Sequence, residues 1–202
     1  RDKATTLVVY TPAVPSTHPG LTYFRDGGFD VMKRAQVLGL LTHDSKGLCF
    51  SGTHGKTTTS SMAAHILHSS EIGCNAFLGG ILRNYDSNFM LSPTSPYTVI
   101  EADEFDRSFL RLWPDVAVVT SADADHLDIY GTHEAVKEAF SQFVRQIRPG
   151  GSLIIKRGVD IVIDNPGIAV YRYSYDEPCD FYARNVQLLE GGHYRYDLVT
   201  PS

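Results

Sequence analysis

Only three of the 202 residues are cysteine, and one is tryptophan. Cys49, Cys74 and Cys179 are odd in number and far apart, so neither a disulfide framework nor a cysteine-built zinc site is expected. No apolar run approaches the roughly 20 residues that span a bilayer. Arg1-Asp2-Lys3 opens no signal peptide, which makes the cytoplasm the default compartment, and Arg1 is not read as a native start. A net charge of −5 without a basic stretch argues against a nucleic-acid partner. Long repeats and low-complexity segments are also missing. What remains is 43% hydrophobic and 20% charged, an ordinary soluble composition able to bury a core in one or two domains.

The richest stretch is Ser51-Gly52-Thr53-His54-Gly55-Lys56-Thr57-Thr58-Thr59. Leu48, Cys49 and Phe50 before it read as the end of a buried strand. Residues 60–70 after it read as a helix with Met62, Ala63, Ile66 and Leu67 on one face. The glycines therefore sit in a strand-to-helix turn. Gly52 and Gly55 allow close backbone approach to an anion, and the free N–H groups of the helix start point at it. Lys56 adds a full charge suited to terminal phosphates, and Thr57 offers a hydroxyl to a magnesium ion. The general phosphate-loop pattern asks for glycine where Phe50 stands, so the match is to a shortened loop. A plain tight turn followed by a solvated lysine is the competing reading. His54 is taken to contribute its backbone only.

Strands are expected over residues 5–10 and 29–33, a Pro-rich loop over 11–20, and helices over 21–26 and 34–41. This opening segment has too few elements to close a sheet covered on both faces. From Gly47 the pattern restarts as strand, loop and helix, followed by strands ending near Ile100 and spanning residues 116–120. Such alternation predicts a mostly parallel sheet flanked by helices. Thr132 is a natural N-cap for a helix whose face carries Val136, Ala139, Phe140, Phe143, Val144 and Ile147, with Pro149-Gly150-Gly151 stopping it. A strand at 152–156 and extended runs near 159–163 and 168–173 follow. A hairpin then turns at Glu190-Gly191-Gly192, and Tyr194, Tyr196 and Leu198 alternate with polar residues as a half-exposed strand would. The fold class is thus α/β, with a small antiparallel extension near the C-terminus.

Two strand ends carry acids. Val99-Ile100 leads into Glu101-Ala102-Asp103-Glu104-Phe105-Asp106, and residues 116–120 lead into Ser121-Ala122-Asp123-Ala124-Asp125-His126-Leu127-Asp128. The carboxyl edge of an α/β sheet is where ligands bind. Like charges about 4 Å apart repel by about 4 kcal/mol at an effective dielectric of 20, so carboxylates that converge there need a cation or shared protons. Magnesium suits such hard oxygens, whereas zinc would favour nitrogen and sulfur donors. An exposed acidic loop is the alternative for the first cluster, and a hydrogen-bonded structural histidine the alternative for His126.

Taken together, Gly52-Thr53-His54-Gly55-Lys56-Thr57-Thr58, Glu101-Ala102-Asp103-Glu104 and Asp125-His126-Leu127-Asp128 resemble the central ATPase domain of the Mur ligases. The similarity runs from about Leu7 to the end of the chain. His54 favours members that act at the muramate level, and the run Ser108-Phe109-Leu110-Arg111-Leu112-Trp113-Pro114 resembles members that add L-alanine more than those that attach a recycled tripeptide. Departures are Phe105, where a small polar residue is common, and Ser121-Ala122-Asp123, where Asn-Ile-Glu is frequent.

The resemblance implies a P-loop-type fold and an ATP-driven amide synthesis through an acyl phosphate, with UDP-N-acetylmuramate and L-alanine as substrates. Gly52, Thr53, His54, Gly55, Lys56, Thr57 and Thr58 would bind ATP. Lys56 would contact the β- and γ-phosphates, and Thr57, Glu101 and His126 would form the magnesium site. Lys56, Glu101 and His126 are the implied catalytic residues. Ser141 lies about where some sister enzymes carry a carbamylated lysine, so that modification is not expected. The resemblance also implies three domains, with residues 1–45 the end of a Rossmann-like UDP-sugar domain, residues 46–202 the central ATP-binding domain, and a C-terminal ligase domain outside the chain. The chain alone is then expected not to ligate. A ligase that takes a recycled tripeptide, and a nucleotide-binding module without ligation, are the alternatives. Oligomeric state and the roles of Asp103, Glu104, Asp106 and Asp125 are left open.

Overall fold

The computed structural model describes residues 2–201; Arg1 and Ser202, and the expectation about Arg1, lie outside the described residues. The chain opens with β1 (Leu7–Tyr10), α1 (Pro19–Asp26), β2 (Asp30–Lys33) and α2 (Arg34–Asp44). Strands β1 and β2 pair in parallel as a separate two-stranded sheet. There follow β3 (Lys46–Ser51), α3 (Lys56–His68), β4 (Asn75–Leu82), β5 (Ser87–Met90), β6 (Tyr97–Glu101) and β7 (Pro114–Val119). The chain continues through α4 (Leu127–Tyr130), α5 (His133–Arg145), β8 (Ser152–Lys156), β9 (Ala169–Ser174), β10 (Phe181–Leu188) and β11 (Tyr194–Val199).

The large sheet has nine strands in the order β11-β10-β9-β8-β7-β3-β6-β4-β5. It is parallel from β4 through β10, with antiparallel strands β5 and β11 at its two edges. The α/β expectation and its C-terminal antiparallel extension are therefore met. The β4–β5 hairpin at the opposite edge is an addition.

The period-2 alternation of strands explains the two cores. Cys49, Ile100, Ala117, Val119, Leu153 and Ile155 face one side, where they pack on Val136, Phe140, Phe143 and Val144 of α5 and on Phe109. Phe50, Val99 and Val118 face the other side and pack with Ala64 of α3 and with Ala76 and Leu78 of β4. Thr132 caps α5 as expected, accepting the Ala135 N–H through its hydroxyl at 3.2 Å. Every member of the expected stripe on α5, Ile147 included, is buried.

Four local expectations change. On α3 the buried face is Ser60 and Ala64 flanked by Ala63 and Leu67, whereas Met62 and Ile66 are 59% and 63% exposed. The sheet meets the helix closely along its small residues, which turns the larger pair outward. The run 159–163 forms no strand; it crosses α5 as a loop, with Val159, Ile161 and Ile163 against the core and the Val162 N–H donated to Ser141 Oγ. Helix α1 starts at Pro19, inside the expected loop. Strand β11 is not half-buried, for Tyr194, Tyr196 and Leu198 are all exposed. Alternation marks a strand, but burial needs a layer on top of it.

Candidate functional site

Strand β3 lies between β6 and β7, so the connection from β6 to β7 passes across it. The carboxyl ends of these strands thus open onto one edge beside the β3–α3 turn, the usual ligand position in open α/β sheets. Gly52 and Gly55 have φ of 140° and 86°, and Gly55 is the N-cap of α3. At Gly52 a Cβ would lie 2.0 Å from Thr120 Oγ1, so only glycine lets the turn close against β7. Thr120 locks the turn by donating its hydroxyl to the Ser51 and His54 carbonyls. The Ser121 hydroxyl accepts the His54 N–H at 2.8 Å and meets Thr53 Oγ1 at 2.9 Å. The loop therefore keeps its shape through its own side of the sheet.

Lys56 begins α3, and its ammonium donates to the Gly52 carbonyl and to Glu104 Oε1, both at 2.8 Å. Thr57 donates its hydroxyl to Glu101 Oε1 at 2.8 Å, while the Gly79 N–H donates to Glu101 Oε2 at 2.8 Å. His126, the N-cap of α4, places Nε2 3.8 Å from both Glu104 Oε1 and Asp125 Oδ2. Its ring stands edge-on to Phe105, 5.0 Å between centroids. The expected residues thus gather in two adjoining groups: Thr57 with Glu101, and Lys56 with His126 around Glu104. His54 projects an exposed side chain, 3.9 Å from Asp123. Thr58 is exposed on the first turn of α3.

The acidic cluster divides by role. Asp103 Oδ1 accepts the Phe105 N–H, Asp106 Oδ1 the Ser108 N–H, and Asp125 Oδ1 the His126 N–H. These three carboxylates build turns. Glu101 and Glu104 are the two that face Thr57 and Lys56. Glu104 is fully buried, and its second oxygen has no hydrogen-bond partner among the described residues. Burial pushes its carboxyl above the usual range, while the Lys56 ammonium pulls it back down. Removing one partner of a buried ion pair typically costs on the order of 3–5 kcal/mol. Tyr130, whose hydroxyl donates to the Glu104 carbonyl at 2.6 Å, is itself pushed up to about 12 by burial and by the Glu104 charge.

Among the described residues no three His, Cys, Asp or Glu side chains converge as a preformed metal centre. Thr57 and Glu101 offer a pair of hard oxygens beside the N-terminus of α3. That donor set fits a magnesium ion, which is typically held by one or two protein oxygens, phosphates and water. A cleft of about 350 Å³ ends on Glu101 and Gly79 and is walled by Val9, Arg34, Phe77 and Phe89. The glycine pair Gly79-Gly80 escaped the sequence reading, although a double glycine inside an apolar run is a signal of close approach. A Cβ on Gly79 would meet Glu101 Oε1 at 2.6 Å, and one on Gly80 would meet Thr57 Cγ2 at 2.9 Å.

Residues 50–200 match the family model of the Mur ligase middle domain. The chain is 60% identical over 197 residues to a UDP-N-acetylmuramate--L-alanine ligase of Parabacteroides distasonis, covering 97% of this chain and 42% of that protein. It is 57% identical over 203 residues to the protein of the same name from Phocaeicola vulgatus, covering 100% of this chain and 44% of the relative. The chain therefore spans about two fifths of the length of these curated relatives. Among solved structures, the UDP-N-acetylmuramate-alanine ligase of Thermotoga maritima superposes with a TM-score of 0.80 at 22% identity, over 96% of this chain and 44% of that one, a likeness of fold. No helix of the described residues is long and apolar enough to cross a membrane. With a middle-domain match across three quarters of its length and a strand-turn-helix site of this form, the chain belongs to the Mur ligase family.

Proposed function

We propose that the chain is the nucleotide-binding core of a cytoplasmic ligase that joins L-alanine to UDP-N-acetylmuramate with ATP as the energy source. The observation that carries this reading is the juxtaposition of the Lys56 ammonium and the Thr57–Glu101 pair at the β3–α3 turn. The names of relatives 57–60% identical supply the substrates. In this reading residues 1–45 end a preceding UDP-sugar-binding domain, residues 46–202 are the ATP-binding domain, and a further ligase domain completes the enzyme. The relatives extend well beyond the 42–44% that this chain covers, which leaves room for further domains, and the chain by itself is expected not to ligate.

The backbone N–H groups of residues 55–58 and the Lys56 charge bind the β- and γ-phosphates. Thr57 and Glu101 hold magnesium, with His126 as a further residue of the metal site; when bound, the ion neutralises phosphate charge. The acceptor's carboxylate enters through the cleft between α2 and β4 and attacks the γ-phosphorus, so that ADP leaves and an acyl phosphate forms. The alanine amine then attacks the acyl carbon and phosphate leaves. Lys56 and the loop amides serve by stabilising charge as it moves onto the leaving ADP and the transferring phosphoryl group. A carboxylate held on magnesium would be a poor base, so Glu101 acts as a ligand rather than as a general base.

The test is phosphate release by the full-length protein carrying this chain, with magnesium-ATP, UDP-N-acetylmuramate and L-alanine, each omitted in turn. Release that needs all of them and disappears in Lys56→Ala is expected. Dependence on a tripeptide in place of L-alanine would reassign the protein to the recycling ligases, and no substrate-dependent release would leave a nucleotide-binding module.

A further inference from the structure

Glu104 is the one carboxylate of its cluster that is both sealed from solvent and aimed at the turn. Its side chain is 0% exposed and that of Lys56 is 13% exposed, and their 2.8 Å contact joins the loop after β6 to α3 from positions 48 residues apart. Two fixtures hold the Glu104 backbone in place. The Tyr130 hydroxyl donates to its carbonyl at 2.6 Å, and the Arg107 N–H donates to the same carbonyl at 2.9 Å. The Arg107 guanidinium in turn lies 5.0 Å over the Tyr130 ring. The second carboxylate oxygen is buried without a partner among the described residues. His126 stands 3.8 Å from the first oxygen, beyond a hydrogen bond but on the same side.

A lysine stem is flexible, and an ammonium at a helix start would ordinarily swing in solvent. Here the ammonium is fixed at two points, the Gly52 carbonyl and the Glu104 carboxylate. One hydrogen-bonding N–H remains for a ligand. A buried anion without a full set of partners is unfavourable by itself, and its placement here makes sense as the counterion of a cation that must stay put.

We infer that Glu104 is a positioning residue, acting through Lys56 to hold its ammonium over the turn and drawing His126 to the same side. The inference rests on the reading of Lys56 as the phosphate ligand. It adds that the site depends on a carboxylate three residues beyond Glu101, one that need not touch nucleotide or metal. Loss of the charge frees the ammonium, which can still meet a bound nucleotide but is no longer held where charge develops on the transferring phosphoryl group.

The experiment uses the full-length protein and compares Glu104→Gln, Glu104→Asp, Lys56→Ala and the double variant Glu104→Gln/Lys56→Ala. Circular dichroism and thermal melting verify folding. Glu104→Gln is expected to lower kcat at least tenfold while leaving the KM for ATP unchanged or lower. Glu104→Asp is expected to recover part of kcat. In the Lys56→Ala background, where turnover is lost, the Glu104→Gln change is expected to shift the melting temperature by less than it does in the wild type, as interacting residues are non-additive. Acylation of Lys56 by an amine-reactive reagent, read by peptide mass, is expected to be several-fold faster in Glu104→Gln because the ammonium is released to solvent. Equal labelling in the folded variant and wild type would overturn the inference, as would full additivity in the double variant. Absence of substrate-dependent phosphate release from the wild type would instead remove the ligase reading, and the labelling comparison would still decide the role of Glu104.

Discussion

Thr57 at the start of α3 and Glu101 at the end of β6 are 44 residues apart, yet the Thr57 hydroxyl donates to Glu101 Oε1 at 2.8 Å. The contact ties the helix that follows the glycine turn to strand β6, and it sets two hard oxygens side by side. Glu101→Gln keeps the size of the side chain but removes its charge. Its expected effect is at least a tenfold rise in the magnesium concentration that half-saturates ATP-dependent phosphate release, with little change in melting temperature. A titration of magnesium at fixed ATP checks it.

Gly79 and Gly80 make room for that contact. Alanine at 79 would press its methyl against the Glu101 carboxylate, and alanine at 80 against the Thr57 methyl. Crowding of this kind costs about 1–3 kcal/mol where neighbours cannot yield. Gly79→Ala is expected to weaken magnesium-dependent nucleotide binding more than Gly80→Ala does, because the atom in its way is the carboxylate itself. Calorimetric titration with magnesium-ADP compares the two.

Ser141 lies inside α5 at 1% exposure, where its hydroxyl donates to the Lys137 carbonyl and accepts the Val162 N–H, each at 3.0 Å. It thereby pins the 159–163 loop over the helix. Ser141→Ala leaves the Val162 N–H without its partner, and is expected to lower stability by about 1–2 kcal/mol. Urea denaturation measures that loss, and nucleotide affinity should not change.

Phe109 stacks on Phe143 with centroids 5.0 Å apart and meets Phe140 edge-on at 5.4 Å, all three sealed beneath the sheet. Phe109→Ala is expected to cost about 3–5 kcal/mol through lost burial and the cavity left behind. The loss should appear as a fall in the denaturation midpoint without a large change in slope.

Burial pushes the Cys49 and Cys74 thiols up, and the nearby Asp115 adds to the effect at Cys49. Both thiols are expected to stay unmodified by a thiol-specific disulfide reagent in the native protein near pH 8, with Cys179 reacting first because it is partly exposed. Unfolding in urea should release all three. The native chain keeps the Cys49 proton above the pH at which the unfolded chain loses it. Its contribution to stability is therefore complete below the ordinary thiol value of 9.0 and is lost as pH rises beyond that value toward the raised native one. Cys49→Ala should make the alkaline decline in melting temperature shallower.

What was legible in the amino-acid order was whatever depends on neighbours along the chain. The turn 52–57 could be read because glycine tolerance and a helix start are properties of a few consecutive residues. The stripe on α5 and its Thr132 cap follow from the 3.6-residue period, and the β10–β11 hairpin from two glycines between alternating runs. The β4–β5 hairpin was hidden because Gly79-Gly80 interrupts the apolar pattern that would have marked β4. The outward turn of Met62 and Ile66, and the bare face of β11, depend on which surfaces pack together, which periodicity does not encode.

The division is clearest among the acids. The sequence alone placed Glu101, Asp103, Glu104 and Asp106 at the carboxyl end of a strand, since strand ends and loop composition are local. Asp103 and Asp106 cap backbone N–H groups two residues further on, a local contact, whereas only the tertiary structure decided that Glu101 takes the Thr57 hydroxyl and that Glu104 is sealed against Lys56. Those assignments arise where β6, α3 and β4 meet, and a buried charge finds its partner through space rather than along the chain.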